Sequence, residues 1–176
     1  MNEIVDKAKK IKLAIFDIDG VLTSGKLIYS PNGIEYKDFH VHDGQGIKLL
    51  QKSGIEIGII TACQSETVKK RMQDLGVTHV YQGQTEKLAA YCQLKQKLQL
   101  LDEEIAYMGD DLPDLAILCR VGLSVTVPNA PAILKETVCL VTKKKGGNGA
   151  ARELCELIMK AQNTYQSITD SFFYRE

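Results

Sequence analysis

Two aspartates set one residue apart, Asp17 and Asp19 in the run DIDGVLT, are the first residues whose types and spacing point to chemistry. On an extended chain, side chains two apart project the same way, so both carboxylates can face one pocket. Further along, Thr61 closes the apolar run IEIGII and Lys87 opens a helical pattern in QTEKLAA. Asp110 and Asp111 follow EIAYMG, with Asp114 one helical turn further on. Carboxylates gathered on one rim repel, and without a cation one of them is driven to take up a proton. Mg2+ is the hard cation that suits them, with waters and a substrate phosphate completing its shell. The chemistry that fits is phosphoryl transfer to a carboxylate through an aspartyl-phosphate. Mg2+ and Lys87 would offset the repulsion between a carboxylate nucleophile and a phosphate anion, and Thr61 would donate to a phosphate oxygen.

Each piece alone has a plainer reading. Asp-Gly is a common turn, and GDDLPD reads equally as an N-cap with Pro113 in the first helical turn. An EF-hand fails, because Gly20 comes too soon and apolar residues replace the later ligands. Joint placement decides the matter, so the elements that must position these residues come next.

Short apolar runs at 12–16 (KLAIF), 55–60 (IEIGII), 78–81 (THVY), 104–108 (EIAYM) and 123–127 (LSVTV) read as strands. Helical patterns at 46–53, 65–75, 86–98, 113–121 and 150–161 alternate with them. That alternation predicts an α/β fold: a doubly wound, Rossmann-like parallel sheet with helices on both faces. Ligands in such sheets sit outside the carboxyl ends of the strands. Asp17, Thr61 and Asp110 all fall at such ends. One segment breaks the pattern, a β-hairpin of KLIY, SPNG and IEYKDF over about 25–39, with Asn-Gly as its turn signal. It stands where a compact α/β unit places a helix, so it is expected to cover a site or a neighbouring subunit. Residues 162–176 have weak periodicity and are expected to form a mobile or docking tail.

The 176 residues are read as a single domain over 1–176 with no large cap domain. Lys+Arg equals Asp+Glu, which gives no reason to expect nucleic acid or an anionic membrane as a partner. The five cysteines never form a C-x-x-C pair, and no run is long and apolar enough to span a bilayer. Cytoplasm is the expected compartment.

Taken together, DIDGVLT, Thr61, Lys87 and GDDLPD resemble the four motifs of the haloacid dehalogenase superfamily. That resemblance implies Asp17 as nucleophile and Asp19 as the acid that protonates the leaving group and then activates water. It implies Mg2+ held by Asp17, the backbone carbonyl of Asp19, and Asp110, with Asp111 and Asp114 in support. The hairpin, HVHDGQGIKLL, LGVTHVYQGQTEKL, GLSVTVPNA and GGNGAARELCELI further resemble the phosphatases of 3-deoxy-D-manno-octulosonate 8-phosphate, enzymes of lipopolysaccharide precursor synthesis. Those proteins lack a large cap and pack their hairpins in a homotetramer. The resemblance implies a phosphorylated sugar acid as substrate, touched by Asp19, His40, Val41, His42, Asp43, Gly44, Lys48, Cys63, Arg71 and Lys87. Arg71 would reach toward an adjacent subunit, and the glycine-rich stretch 146–149 would serve as a mobile lid or as a flexible connector.

The sequence departs from that pattern at four places. His42, Lys48 and Cys63 stand where arginine is expected, and Asn148 interrupts a Gly-Gly-Arg-Gly. Arg grips a carboxylate or phosphate bidentately, whereas Lys acts as a point charge, His only when protonated, and Cys hardly at all. The run Lys143, Lys144, Lys145 reads as a solvated charge run. The grip on an acidic sugar is thinned while the phosphoryl-transfer centre is complete. A phosphatase of a nine-carbon, sialic-acid-type 9-phosphate is the alternative within enzymes. A receiver-like signalling module needs its acidic pair early and its acceptor Asp on a middle strand, and the order here is the reverse. A non-catalytic oligomerisation or sugar-binding module has no need for Asp17, Asp19, Lys87 and Asp110 together.

Overall fold

The computed structural model describes residues 2–173. Helix α1 (Asn2–Lys9) leads into β1 (Leu13–Phe16), whose four residues LAIF are all buried. The hairpin follows as β2 (Ile28–Tyr29) and β3 (Glu35–Tyr36), then α2 (Val41–Lys52) and β4 (Glu56–Ile60). Next come α3 (Glu66–Leu75), β5 (His79–Tyr81), α4 (Lys87–Leu98), β6 (Ile105–Met108) and α5 (Leu115–Leu118). The chain closes with β7 (Leu123–Thr126), α6 (Ala132–Thr137), β8 (Leu140–Val141), α7 (Ala150–Ala161) and α8 (Tyr165–Asp170).

Six strands form one parallel sheet in the order β5-β4-β1-β6-β7-β8. Strands β1, β6 and β7 are buried along their whole length, as a sheet covered on both faces requires. The chain starts in the middle at β1, moves one way to β4 and β5, then crosses back to β6 on the other side of β1. Right-handed crossovers then put successive helices on opposite faces, and the reversal leaves a crevice at the carboxyl ends of β4, β1 and β6. Phe16 is level with Ile59 of β4 and Met108 of β6, so the residues just after each strand emerge side by side. Helices α1 and α2 pack on α7, while α4 packs on α5.

The expected fold is the observed one, with differences at its edges. Helix α2 begins at Val41 rather than near 46, because the His40 ring nitrogen Nδ1 accepts from the His42 backbone N–H at 3.2 Å and caps it. Glycines at 44 and 46 hide this start by lowering helix propensity. Gly46 is needed for close packing, since a Cβ there would lie 2.9 Å from Arg152 Cδ and 3.0 Å from Arg152 Cα on α7. The hairpin ladder is shorter than the apolar pattern, pairing only Ile28 with Tyr36 and Tyr29 with Glu35. The pattern also hid α1, α6 and β8. The tail is not unstructured over its described part: Gln162 Nε2 donates to the carbonyls of Ala8 and Ile11, and α8 packs on α7. Residues 174–176 of that tail lie outside the described residues.

Candidate active site

Three adjacent strand ends supply the centre of the site. Asp17 follows β1, and its backbone N–H donates to the Met108 carbonyl of β6 at 3.0 Å. Thr61 follows β4, with its N–H bonded to the Tyr81 carbonyl at 3.0 Å. Asp110 follows β6 by way of Gly109, and a 3₁₀ turn over Leu112–Asp114, capped by the Asp111 carboxylate, folds Asp114 back beneath it. Gly109 has to be glycine here, because a Cβ would lie 2.3 Å from Asp114 Cγ. Lys87 opens α4 and comes in from the side. These residues, with Asp19, Gly25, Ala62, Cys63 and Pro113, line a cavity of about 280 Å³.

Lys87 is the hub. Its side chain is 3% exposed, and Nζ donates at 2.7 Å both to Asp17 Oδ2 and to Asp114 Oδ1. Asp114 is fully buried and saturated: Oδ1 also accepts from the Tyr107 hydroxyl at 2.6 Å, and Oδ2 from the backbone N–H groups of Asp110 and Asp111 at 3.0 and 3.2 Å. Asp17 Oδ1 accepts from the Ile18 N–H at 2.7 Å. Thr61 is buried, and its Oγ1 accepts from the Cys63 N–H at 3.3 Å.

Charge in this site is unbalanced without a further cation. Burial, with repulsion from Asp114, lifts the Asp17 carboxyl to about 6 although Lys87 opposes the change. Burial and the charges of Asp17 and Asp114 push Asp110 up to about 7. Burial works against the charge on Lys87, but Asp17 and Asp114 outweigh it and its pKa is raised. Burial and the neighbouring Asp114 carboxylate raise the Tyr107 phenol well above its usual range, so it remains a donor.

Carboxylate oxygens of Asp17, Asp110 and Asp114 lie within 4.8 Å of one another. Asp114 has no lone pair to spare, whereas the Asp110 carboxylate accepts no hydrogen bond among the described residues. Two hard, partly desolvated oxygen donors beside an open cavity fit a hard divalent ion such as Mg2+. Asp19 is expected to reach the metal through its backbone carbonyl, not its side chain, and the carboxylate cluster forms without that side chain. The Asp19 side chain turns away from it, toward the hairpin, where Oδ1 accepts from Lys37 Nζ at 2.6 Å.

Beyond the centre, the expected sugar-binding residues divide. Asp19, Cys63 and Lys87 line the cavity. His40, Val41, His42, Gly44, Lys48 and Arg71 do not line it within this chain. Val41 is 71% exposed at the start of α2, and His42 and Lys48 are also exposed on that helix. Asp43 has a different partner from the one expected: its buried carboxylate accepts from the backbone N–H groups of Gly149 and Arg152 at 3.0 and 2.8 Å, capping α7. Arg71 folds onto its own chain, its guanidinium 5.7 Å from the Phe39 ring and beside Gly44, with Nε buried and without a hydrogen-bond partner among the described residues. Residues 146–149 are not a free lid either. The Gly147 N–H donates to the Val21 carbonyl at 2.9 Å, and a Cβ on Gly146 would lie 1.7 Å from the Gly20 carbonyl oxygen.

Three residues that touch this network escaped the sequence reading: Lys37, Glu35 and Tyr107. The Lys37 side chain is 3% exposed, and its Nζ lies 3.2 Å from Glu35 Oε1 as well as 2.6 Å from Asp19. Burial opposes its charge, but Asp19 and Glu35 more than compensate and raise its pKa. A period-two signal was present: along 34–38 the odd-numbered residues turn inward and the even-numbered ones, including Ile34 and Tyr36, face solvent. Tyr107 sits in a wholly buried strand, where a hydroxyl must find a partner.

The chain is similar to known proteins over most of its length. Residues 76–154 match the family described as haloacid dehalogenase-like hydrolase. The chain is 42% identical over 168 residues to the 3-deoxy-D-manno-octulosonate 8-phosphate phosphatase of Yersinia pestis, covering 96% of this chain and 90% of that protein. It is similar to the solved structure of the Moraxella catarrhalis enzyme of the same name, in complex with magnesium ion, phosphate ion and KDO. That match has a TM-score of 0.95 and 45% identity, covering 98% of this chain and 99% of that one. The cobalt-bound Haemophilus influenzae deoxy-D-mannose-octulosonate 8-phosphate phosphatase matches with a TM-score of 0.90 and 37% identity, over 95% and 99% of the two chains.

Proposed function

This chain belongs to the haloacid dehalogenase-like hydrolase family, and from that premise we propose that it is a Mg2+-dependent phosphatase of 3-deoxy-D-manno-octulosonate 8-phosphate. The observation that carries the reading is the buried Lys87 bridging Asp17 and Asp114, beside an Asp110 carboxylate that has no hydrogen-bond partner among the described residues. A purely structural cluster would neutralise its charges internally, and this one does not.

In the proposed reaction an Asp17 carboxylate oxygen attacks phosphorus and the bond from phosphorus to the ester oxygen breaks. Asp19 protonates the departing sugar alkoxide, leaving an aspartyl-phosphate on Asp17. Asp19, now ionised, takes a proton from water, and the resulting hydroxide attacks phosphorus and returns Asp17 as a carboxylate with release of phosphate. Lys87 orients Asp17 and offsets its charge. Thr61, at the cavity wall, donates to a phosphate oxygen. Asp114 acts through Lys87 and the backbone of Asp110 and does not touch the substrate. Bound Mg2+ would be held by Asp17, Asp110 and the Asp19 carbonyl, and supplies neutralisation of the phosphate charge.

The free sugar acid would enter lipopolysaccharide precursor synthesis, and we assign the chain to the cytoplasm; no helix among the described residues is long and apolar enough to cross a membrane. Leu27, Ile28, Tyr29, Ile34 and Tyr36 are 44–65% exposed on the hairpin, which supports packing of hairpins in a homotetramer. In such an assembly a neighbouring chain would bring its own residues to the open side of the cavity. The test is phosphate release, with Mg2+ and with chelator, from the eight-carbon sugar-acid 8-phosphate, a nine-carbon acid 9-phosphate and simple phosphomonoesters. Preference for the eight-carbon acid is expected. Preference for the nine-carbon acid or for simple esters overturns the substrate and leaves the chemistry standing.

A further inference from the structure

We propose that Lys37 is a positioning residue for the reaction: delivered by the hairpin and held by Glu35, it clamps one oxygen of Asp19 so that the other faces the cavity as the proton-carrying atom. The inference rests on the reading of Asp19 as the acid and base. The Asp19 carboxylate has two protein contacts, from Lys37 Nζ at 2.6 Å and Thr23 Oγ1 at 3.5 Å, and both fall on Oδ1. Among the described residues Oδ2 accepts nothing, and Asp19 lines the cavity.

Burying a lysine is costly unless its charge is met by a partner, and a hairpin strand could present almost any side chain here. The Lys37 side chain is nevertheless 3% exposed, while Ile34 and Tyr36 on the opposite face are 55% and 54% exposed. The hairpin thus turns apolar groups outward and a charged pair inward. Glu35 and Lys37, two apart on extended chain, share that inward face, and Glu35 Oε1 at 3.2 Å holds Nζ in place. A carboxylate that must donate in one step and accept in the next gains from a fixed rotamer, since misplacement by about 1 Å costs on the order of a hundredfold. Asp19 is 35% exposed and would otherwise turn freely.

The experiment measures kcat and KM of the Mg2+-loaded protein for Lys37→Met, Lys37→Arg, Glu35→Gln, Asp19→Asn and the double variant Asp19→Asn/Lys37→Met. Two substrates are compared, the sugar-acid phosphate and p-nitrophenyl phosphate, whose leaving group departs without a proton. Lys37→Met is expected to lower kcat on the sugar phosphate about 10- to 100-fold with little change in KM, and to cost less on the aryl ester. Lys37→Arg restores part of the loss, Glu35→Gln has a smaller effect in the same direction, and Lys37→Met adds little to Asp19→Asn. If Lys37→Met does not fold, Lys37→Arg and Glu35→Gln carry the test by the same two-substrate ratio. Equal losses on both substrates, or losses that multiply in the double variant, overturn the positioning role and leave Asp19 in place. An active Asp19→Asn overturns the acid–base reading itself.

Discussion

Gly20→Ala separates the two demands that the loop after β1 makes on its backbone. Gly20 has φ +86°, in the left-handed region, and an added Cβ would stand 1.9 Å from Asp110 Oδ2 and 2.4 Å from its Cγ. Ordinary contact begins near 3.4 Å, so the carboxylate has to move by about 1.5 Å, the difference between 3.4 and 1.9. The backbone term costs about 1–2 kcal/mol, or a fall in Tm of roughly 2–8 °C for a chain of this size. The displacement term acts on Mg2+, because Asp110 is a proposed ligand, and shifting a ligand by more than 1 Å is expected to raise the half-saturating Mg2+ concentration about 10- to 100-fold. Gly54→Ala is the control: φ is +89° but nothing lies within 4 Å of its Cβ, so it bears the backbone cost alone. The assay is phosphate release against Mg2+ concentration, with Tm measured in chelator for both variants. Matching Tm losses with a Mg2+ shift only in Gly20→Ala are expected. A Gly20→Ala protein with the parent's Mg2+ dependence would refute the placement of Asp110 as a ligand.

Two further outcomes follow from the buried charges. Tyr107→Phe removes a donor from the Asp114 carboxylate at 2.6 Å and is expected to cost about 1.5–3 kcal/mol, seen as a Tm fall of roughly 3–12 °C; an unchanged Tm contradicts the saturated Asp114 network. Asp110 is pushed up to about 7 from an ordinary value of 3.8, so without metal the folded state holds this proton more tightly than the unfolded state. That contribution to stability is full below about pH 4 and is lost as pH rises through about 7. Asp110→Asn, which lacks the titration, is therefore expected to raise the metal-free Tm at pH 8 more than at pH 5, as read by thermal melts in chelator. A larger gain at pH 5 contradicts the assignment.

The centre of the site was legible because β1, β4 and β6 are short apolar runs that each end abruptly in a polar residue. In a parallel sheet those ends are forced to one rim, so Asp17, Thr61 and Asp110 could be brought together from order alone. Lys87 could be placed there by resemblance to the family motifs. What sequence order did not carry was the direction of individual side chains. Asp43 and Gly44 lie within one helical turn of each other, yet the Asp43 carboxylate is drawn under α7 by two unpaired N–H groups from over a hundred positions away. Arg71 lies beside Gly44 and over Phe39, contacts that depend on how α3 seats against α2. Lys37 carries no signal of its own in the order of residues, and only the path of the chain over the cavity brings it to Asp19. The glycines at 146 and 147 read as flexibility, but close approach to Gly20 and the bond to Val21 fasten them to the nucleophile loop.

The most direct test of the account is capture of the covalent intermediate. Protein turning over the sugar-acid phosphate with Mg2+ is quenched in acid, digested and examined by mass spectrometry for a phosphoryl group on the peptide carrying DIDGVLT. The account predicts the modification on Asp17, its loss in Asp17→Asn along with phosphate release, and its accumulation in Asp19→Asn, where the second step lacks its base. Phosphate release at the parent's rate by Asp17→Asn, or a phosphoryl group on any other residue, would contradict it.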